Sequence, residues 1–223
     1  MSLGDIAVYT SFEKLVEKQR EMASGVICQD FLKREISIIG GADVAYKKNS
    51  AVAVTSIHDY HSLRTLGINL HRCQIVFPYT PGLLAFREAE AIVSSAKPFL
   101  GKMDVLMVDG HGVAHPRRCG LASFVGLFLD MPTIGVAKEL LCGETASFSG
   151  KFADVLYQGE LVARAFKRNS SARPIYISVG HKISLDKACK ITEDTTKKHR
   201  IPEPLFEAHR LGKEEFCRRR LCS

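Results

Sequence analysis

Five side chains spread along the sequence have the types and placements that chemistry on a phosphate backbone requires: Asp43, Glu88, Asp109, Lys138 and His209. Asp109 ends the apolar run Val105-Leu106-Met107-Val108, which puts a carboxylate at the carboxyl end of a buried strand, where open α/β sheets hold their ligands. Asp43 follows a second apolar run, Ile38-Ile39-Gly40-Gly41-Ala42, where an uncompensated carboxylate is costly to desolvate. If the two strands are neighbours, both groups can share a divalent cation, with Glu88 reaching in from an intervening helix. Carboxylates with open coordination positions suit Mg2+ or Mn2+, hard ions that keep water and accept phosphate oxygens. Lys138 follows Thr133-Ile134-Gly135-Val136-Ala137 and so stands level with Asp109, where a cation can bind a scissile phosphate or orient an attacking water. Plainer readings exist for each: Asp43 as a cap, Asp109 in an Asx-turn before Gly110, Glu88 solvated beside Arg87, Lys138 at a helix start, His209 on a helix surface.

A second group of residues is suited to holding a nucleic-acid strand. In Phe77-Pro78-Tyr79-Thr80-Pro81-Gly82 the fixed φ angles of Pro78 and Pro81 make a stiff turn that presents Tyr79 outward, as a wedge that can enter a base stack. Damaged or mispaired bases are cheaper to extrude, so such a wedge also selects them. The alternative is a core tyrosine at a loop corner. His115 and Arg117, in His115-Pro116-Arg117-Arg118, are candidates for backbone phosphate contacts, although a lone basic loop often has no specific partner.

These groups need a scaffold, and 223 residues with 46% hydrophobic content suffice for one sizeable core, read here as a single domain over 1–223. A helix is expected over 10–34, from a capping-box pattern at Thr10 and Glu13 and helically spaced apolar residues that run on to Val26 and Ile27. Strand-like runs at 36–46, 51–57 and 63–76, joined by short polar turns, predict an antiparallel meander. Beyond it come a helix near 82–97, a strand at 104–109, a helix near 119–129 and a strand at 133–137, an alternation that predicts parallel neighbours. A loop-rich insert around 143–152 precedes strands at 161–167 and 175–179 and helices near 184–198 and 203–220. The fold class is therefore α/β, a three-stranded meander followed by βα units with flanking helices. A net charge of +7 favours a polyanionic partner. Seven cysteines without a C-x-x-C pair read as reduced thiols, and no signal peptide or membrane-length apolar run is evident, so a cytoplasmic protein with no membrane partner is expected.

Taken together, Gly41-Ala42-Asp43, the Phe77 to Glu88 run, Val108-Asp109-Gly110-His111-Gly112, His115-Pro116-Arg117, Pro132 to Lys138 and Ile201-Pro202-Glu203-Pro204 resemble endonuclease V over nearly the whole chain. The resemblance implies an RNase H-like fold and a Mg2+-dependent nuclease, with Mn2+ able to substitute. Its expected partner is DNA containing deaminated bases, above all deoxyinosine. Hydrolysis of the second phosphodiester bond 3′ to the lesion, leaving a 5′-phosphate, is implied, and the enzyme is expected to be a monomer. By motif match Asp43 and Asp109 become metal ligands, Glu88 a third acid at the metal, Lys138 the catalytic cation and His209 a late active-site histidine. Pro78, Tyr79, Thr80 and Pro81 form the wedge, while Leu84, Gly110, Gly112, Gly120 and Leu121 match the pocket for a flipped base. Two positions depart from the family's pattern: Thr80 stands where isoleucine is frequent, and Phe124 follows Ala122-Ser123 where many members carry histidine. Two other readings stay open, an endoribonuclease specific for inosine-containing RNA and a non-catalytic nucleic-acid-binding module.

Overall fold

The computed structural model describes residues 11–32, 34–75 and 77–218. Thr10, Val76, Cys222 and the opening Met1 to Asp5 lie outside them. The first helix, α1 (Phe12–Ala23), is capped by Ser11, whose hydroxyl accepts from the Lys14 amide. It stops well short of the expected length. Ser24 and Gly25 turn their amides back onto Glu21 and Met22, and the following chain is extended, with the Ile27 amide donating to His181 Nδ1. Val26 and Ile27 keep a helical spacing, but they belong to a strap that crosses the molecule.

The meander is present as β1 (Ile38–Lys47), β2 (Ser50–Asp59) and β3 (Thr65–Gln74), antiparallel throughout. Then follow α2 (Leu84–Ala96), β4 (Val105–Asp109), α3 (Leu121–Leu129) and β5 (Thr133–Ala137). Both β4 against β1 and β5 against β4 are parallel, as the βα alternation predicts. The chain continues through β6 (Glu144–Thr145), β7 (Phe152–Tyr157), β8 (Glu160–Phe166) and β9 (Ile175–His181), all antiparallel to their neighbours. The expected loop-rich insert thus ends in a true strand: β7 alternates buried Ala153 and Val155 with exposed Asp154 and Leu156 and turns straight into β8. The helices α4 (Leu185–Thr195) and α5 (Glu203–Arg218) complete the described residues. Among these no helix is long and apolar enough to cross a membrane.

All strands join one sheet in the order β3-β2-β1-β4-β5-β9-β8-β7-β6. Ala42, Leu106 and Val108 face α2 and α3 on one side, whereas Ile39, Val105, Met107, Ile134 and Val136 pack against α4 and the start of α5 on the other. The two-sided burial explains why β4 and β5 read as unbroken apolar runs. Helix α5 lies unusually close to β1. A Cβ on Gly41 would stand 2.3 Å from the Pro204 carbonyl carbon, so only glycine permits this contact, and Ser56 Oγ fixes the same turn by donating to the Pro204 carbonyl at 2.8 Å.

Candidate active site

The parallel pairing of β1 with β4 sets Ala42 opposite Val108, so Asp43 and Asp109 are the next residues along two adjacent strands; Asp109 closes β4, whereas β1 runs on past Asp43 to Lys47, paired with β2. Helix α5, seated on Gly41, then delivers His209, whose Nδ1 lies 2.6 Å from Asp43 Oδ2. Lys138, one residue past β5, donates through Nζ to Asp109 Oδ2. Its own carbonyl accepts from Arg200 Nη2 at 2.7 Å, which ties the loop before α5 to the same strand end. Glu88, in the second turn of α2, is only 7% exposed, and Tyr46 at the close of β1 donates its hydroxyl to Glu88 Oε1. The five residues singled out by type and spacing therefore converge from β1, α2, β4, the end of β5 and α5.

Carboxylates in this density repel. Burial, followed by the Asp43 charge, lifts the Asp109 carboxyl above its usual range against the opposing pull of Lys138. Burial likewise pushes Glu88 up to about 8, with Asp43 and Asp109 adding to the rise and the Tyr46 hydrogen bond working against it. One ligand atom each from Asp43, Asp109 and His209, two carboxylate oxygens and an imidazole nitrogen, lie within 4.8 Å of one another. That donor set fits a hard divalent cation, which would relieve the excess negative charge that the raised carboxyls reveal.

Beside this centre, Tyr79 stands at the tip of its proline-framed turn with 69% of its surface exposed. The turn is held at both ends. Arg87 Nη1 donates to the Phe77 carbonyl, and the Gly82 carbonyl receives Arg117 Nη2 at 2.7 Å and faces His115 Nε2 at 3.0 Å. Gln19 of α1, fully buried, locks the second anchor: its Oε1 accepts from Arg117 Nε at 2.6 Å while its Nε2 donates to the Cys119 carbonyl. His115 is itself buried, and that burial lowers its pKa to about 4. His115 and Arg117 thus brace the wedge from beneath. Gln19 escaped notice in the sequence because a glutamine within an amphipathic helix looks like a solvated residue.

Under the turn lies a cavity of about 190 Å³, lined by Gln19, Tyr79, Leu84, His111, Gly120 and Leu121 among others. Leu84, Gly120 and Leu121 thus line this cavity, whereas Gly110 and Gly112 do not. Gly112 is buried, its amide donating to Ser178 Oγ at 2.9 Å, and a Cβ there would meet the Val179 carbonyl oxygen at 1.8 Å. Gly110 rests against the Leu121 side chain. His111, which sequence reasoning passed over, has its pKa lowered to about 4 by burial, and its Nε2 is enclosed without a hydrogen-bond partner among the described residues. Phe124 is fully buried and edge-on to Phe86 at 4.9 Å, so this departure fills the core. A roomier recess of about 550 Å³, lined by Phe31, Leu100, Met103 and Pro132, opens at the opposite end of β4 and β5, away from the acidic centre.

A mixed sheet with a leading meander, and carboxylates side by side on its first two parallel strands, define an RNase H-like nuclease. Within that class the assignment is direct: the family model for endonuclease V matches residues 20–210, and the chain belongs to the endonuclease V family. Endonuclease V of Thermofilum pendens is 40% identical over 200 residues, covering 89% of this chain and 86% of that protein. The crystal structure of the Streptomyces avermitilis enzyme superposes with a TM-score of 0.84 at 32% identity, covering 94% of this chain and 95% of that chain. Ciona intestinalis endonuclease V, crystallised in complex with a 24mer DNA containing an inosine followed by a ribo-adenosine, gives a TM-score of 0.84 at 29% identity over 92% of this chain and 98% of that chain.

Proposed function

We propose that this chain is a Mg2+-dependent endonuclease that recognises deaminated bases, deoxyinosine above all, and hydrolyses the second phosphodiester bond 3′ to the lesion, leaving a 5′-phosphate. The observation that carries this reading is the adjacency of two devices, the Asp43-Asp109-His209 cluster with Lys138, and a cavity beneath an exposed, braced tyrosine. Tyr79 enters the stack and the extruded base seats against Leu84, Gly120 and Leu121. Asp43, Asp109 and His209 would hold a divalent ion, Mg2+ or Mn2+, which when bound would neutralise charge at the phosphoryl oxygen and activate water. His209 holds the Asp43 carboxylate in position, Lys138 neutralises charge that develops on the scissile phosphate, and Glu88 provides the third acidic group. The inosine in the Ciona complex supports the choice of lesion.

A second reading, cleavage of inosine-containing RNA, is favoured by the ribo-adenosine that follows the inosine in that complex. One experiment addresses both. End-labelled oligonucleotides carrying a single inosine in DNA, in RNA, or in DNA with one 3′ ribonucleotide are incubated with Mg2+ or with chelator. Cutting one nucleotide beyond the inosine's own 3′ neighbour bond, only with metal, supports the proposal, and the relative rates assign the sugar. Binding without any cleavage in Mg2+ or Mn2+ would leave a non-catalytic binding module instead.

A further inference from the structure

Glu88 is the least exposed carboxylate of the centre, yet among the described residues its only hydrogen bond comes from the Tyr46 hydroxyl. A glutamate has three side-chain torsions, and holding it in one rotamer costs entropy unless something fixes it. Tyr46 is suited to that task because its own ring is held: the Arg87 guanidinium lies over its face, 4.8 Å from the ring centre. Arg87 is in turn anchored on the Phe77 carbonyl. With Oε1 engaged by the phenol, Oε2 is the oxygen left for the acidic centre.

We propose that Tyr46 is a positioning residue, whose hydroxyl fixes the Glu88 carboxylate in the orientation that the metal centre requires. The proposal rests on the functional reading above. Partners that orient a metal-site group commonly matter about 10- to 100-fold for metal affinity or activity.

Tyr46→Phe tests it, since the ring and its stack with Arg87 remain and only the hydroxyl is lost. In calorimetric titrations with Mn2+ alone, without nucleic acid, the variant should bind about 10-fold more weakly than the parent. On an inosine oligonucleotide in Mg2+, kcat should fall about 10-fold with KM unchanged, because the base pocket is untouched. In a Glu88→Ala background Tyr46→Phe should have no further effect on either quantity, as expected for a residue that acts through Glu88. Unchanged Mn2+ affinity, or a loss that adds in full to that of Glu88→Ala, would overturn the proposal. If the parent protein cuts no inosine substrate, the functional reading falls, while the Mn2+ titrations still decide the role of Tyr46.

Discussion

His209 and Asp43 stand 2.6 Å apart, Nδ1 to Oδ2, although 166 positions separate them in the chain. The contact exists because α5 closes onto β1 at Gly41, where the Pro204 backbone occupies the space of a side chain. Gly41→Ala should therefore act at a distance. Overpacking of this kind costs about 1–3 kcal/mol, and relief by lifting α5 would draw His209 away from Asp43. A lower melting temperature together with a higher Mg2+ requirement for nicking is the expected outcome; wild-type metal dependence would separate the packing of α5 from the chemistry.

Asp43→Ala and Asp109→Ala each remove a carboxylate from the cluster without touching the cavity under Tyr79. Nicking of inosine DNA should fall by more than about 100-fold in both, beyond what the loss of an outer partner produces, while gel-shift affinity for the same DNA stays near that of the parent. Substantial cleavage by either variant in Mg2+ would remove that residue from the ligand set.

Tyr79→Ala should leave stability unchanged, because an exposed side chain contributes little to the core. Its effect should appear in selectivity. The ratio of cleavage rates on inosine-containing and undamaged duplex should drop, and single-stranded substrate should be spared, since no stack needs opening there. Equal loss on both substrates would assign Tyr79 to general binding.

The elevated carboxyls predict how stability depends on pH. Folded Glu88 keeps its proton up to about pH 8, whereas an unfolded glutamate releases it near 4.5, so between those values the folded state binds more protons. Stability of the metal-free protein should then fall as pH rises through this window, by up to about 1.4 kcal/mol per pH unit, and level off above it. Asp109, also raised, adds in the same direction. Chemical denaturation from pH 5 to 9 with chelator should show the decline, Glu88→Gln should flatten it, and Mg2+ should offset it. A metal-free protein that gains stability across this range would contradict the burial assigned to Glu88.

Much of this centre was legible in the sequence because strand ends are marked locally. Val105 to Val108 and Thr133 to Ala137 are apolar runs closed by a charged residue, so the levels of Asp109 and Lys138 followed from pattern alone. Contacts made across the fold were not. Nothing near Gln19 signals that it braces Arg117, and Tyr46 reads as an ordinary strand-end aromatic until α2 brings Glu88 to it. His115 and Arg117 carry the composition of a phosphate-binding loop, and nothing near them in the sequence signals that both reach the Gly82 carbonyl. The helix α1 was overrun for a related reason: Val26 and Ile27 are apolar because a strap is covered, and periodicity does not distinguish a covered strap from a helix face.

The glycines around His111 are packed too closely to carry side chains. A Cβ on Gly120 would meet the His111 carbonyl oxygen at 2.4 Å, one on Gly135 would meet the Gly112 amide at 2.4 Å, and one on Gly112 would collide with Val179. Here main chain packs directly on main chain, with no room for a side chain at any of the three glycines. Of these three glycines Gly120 lines the cavity, so its shape there is fixed by backbone, and substitutions that reshape it have to be made at lining side chains such as Leu84, His111 or Leu121.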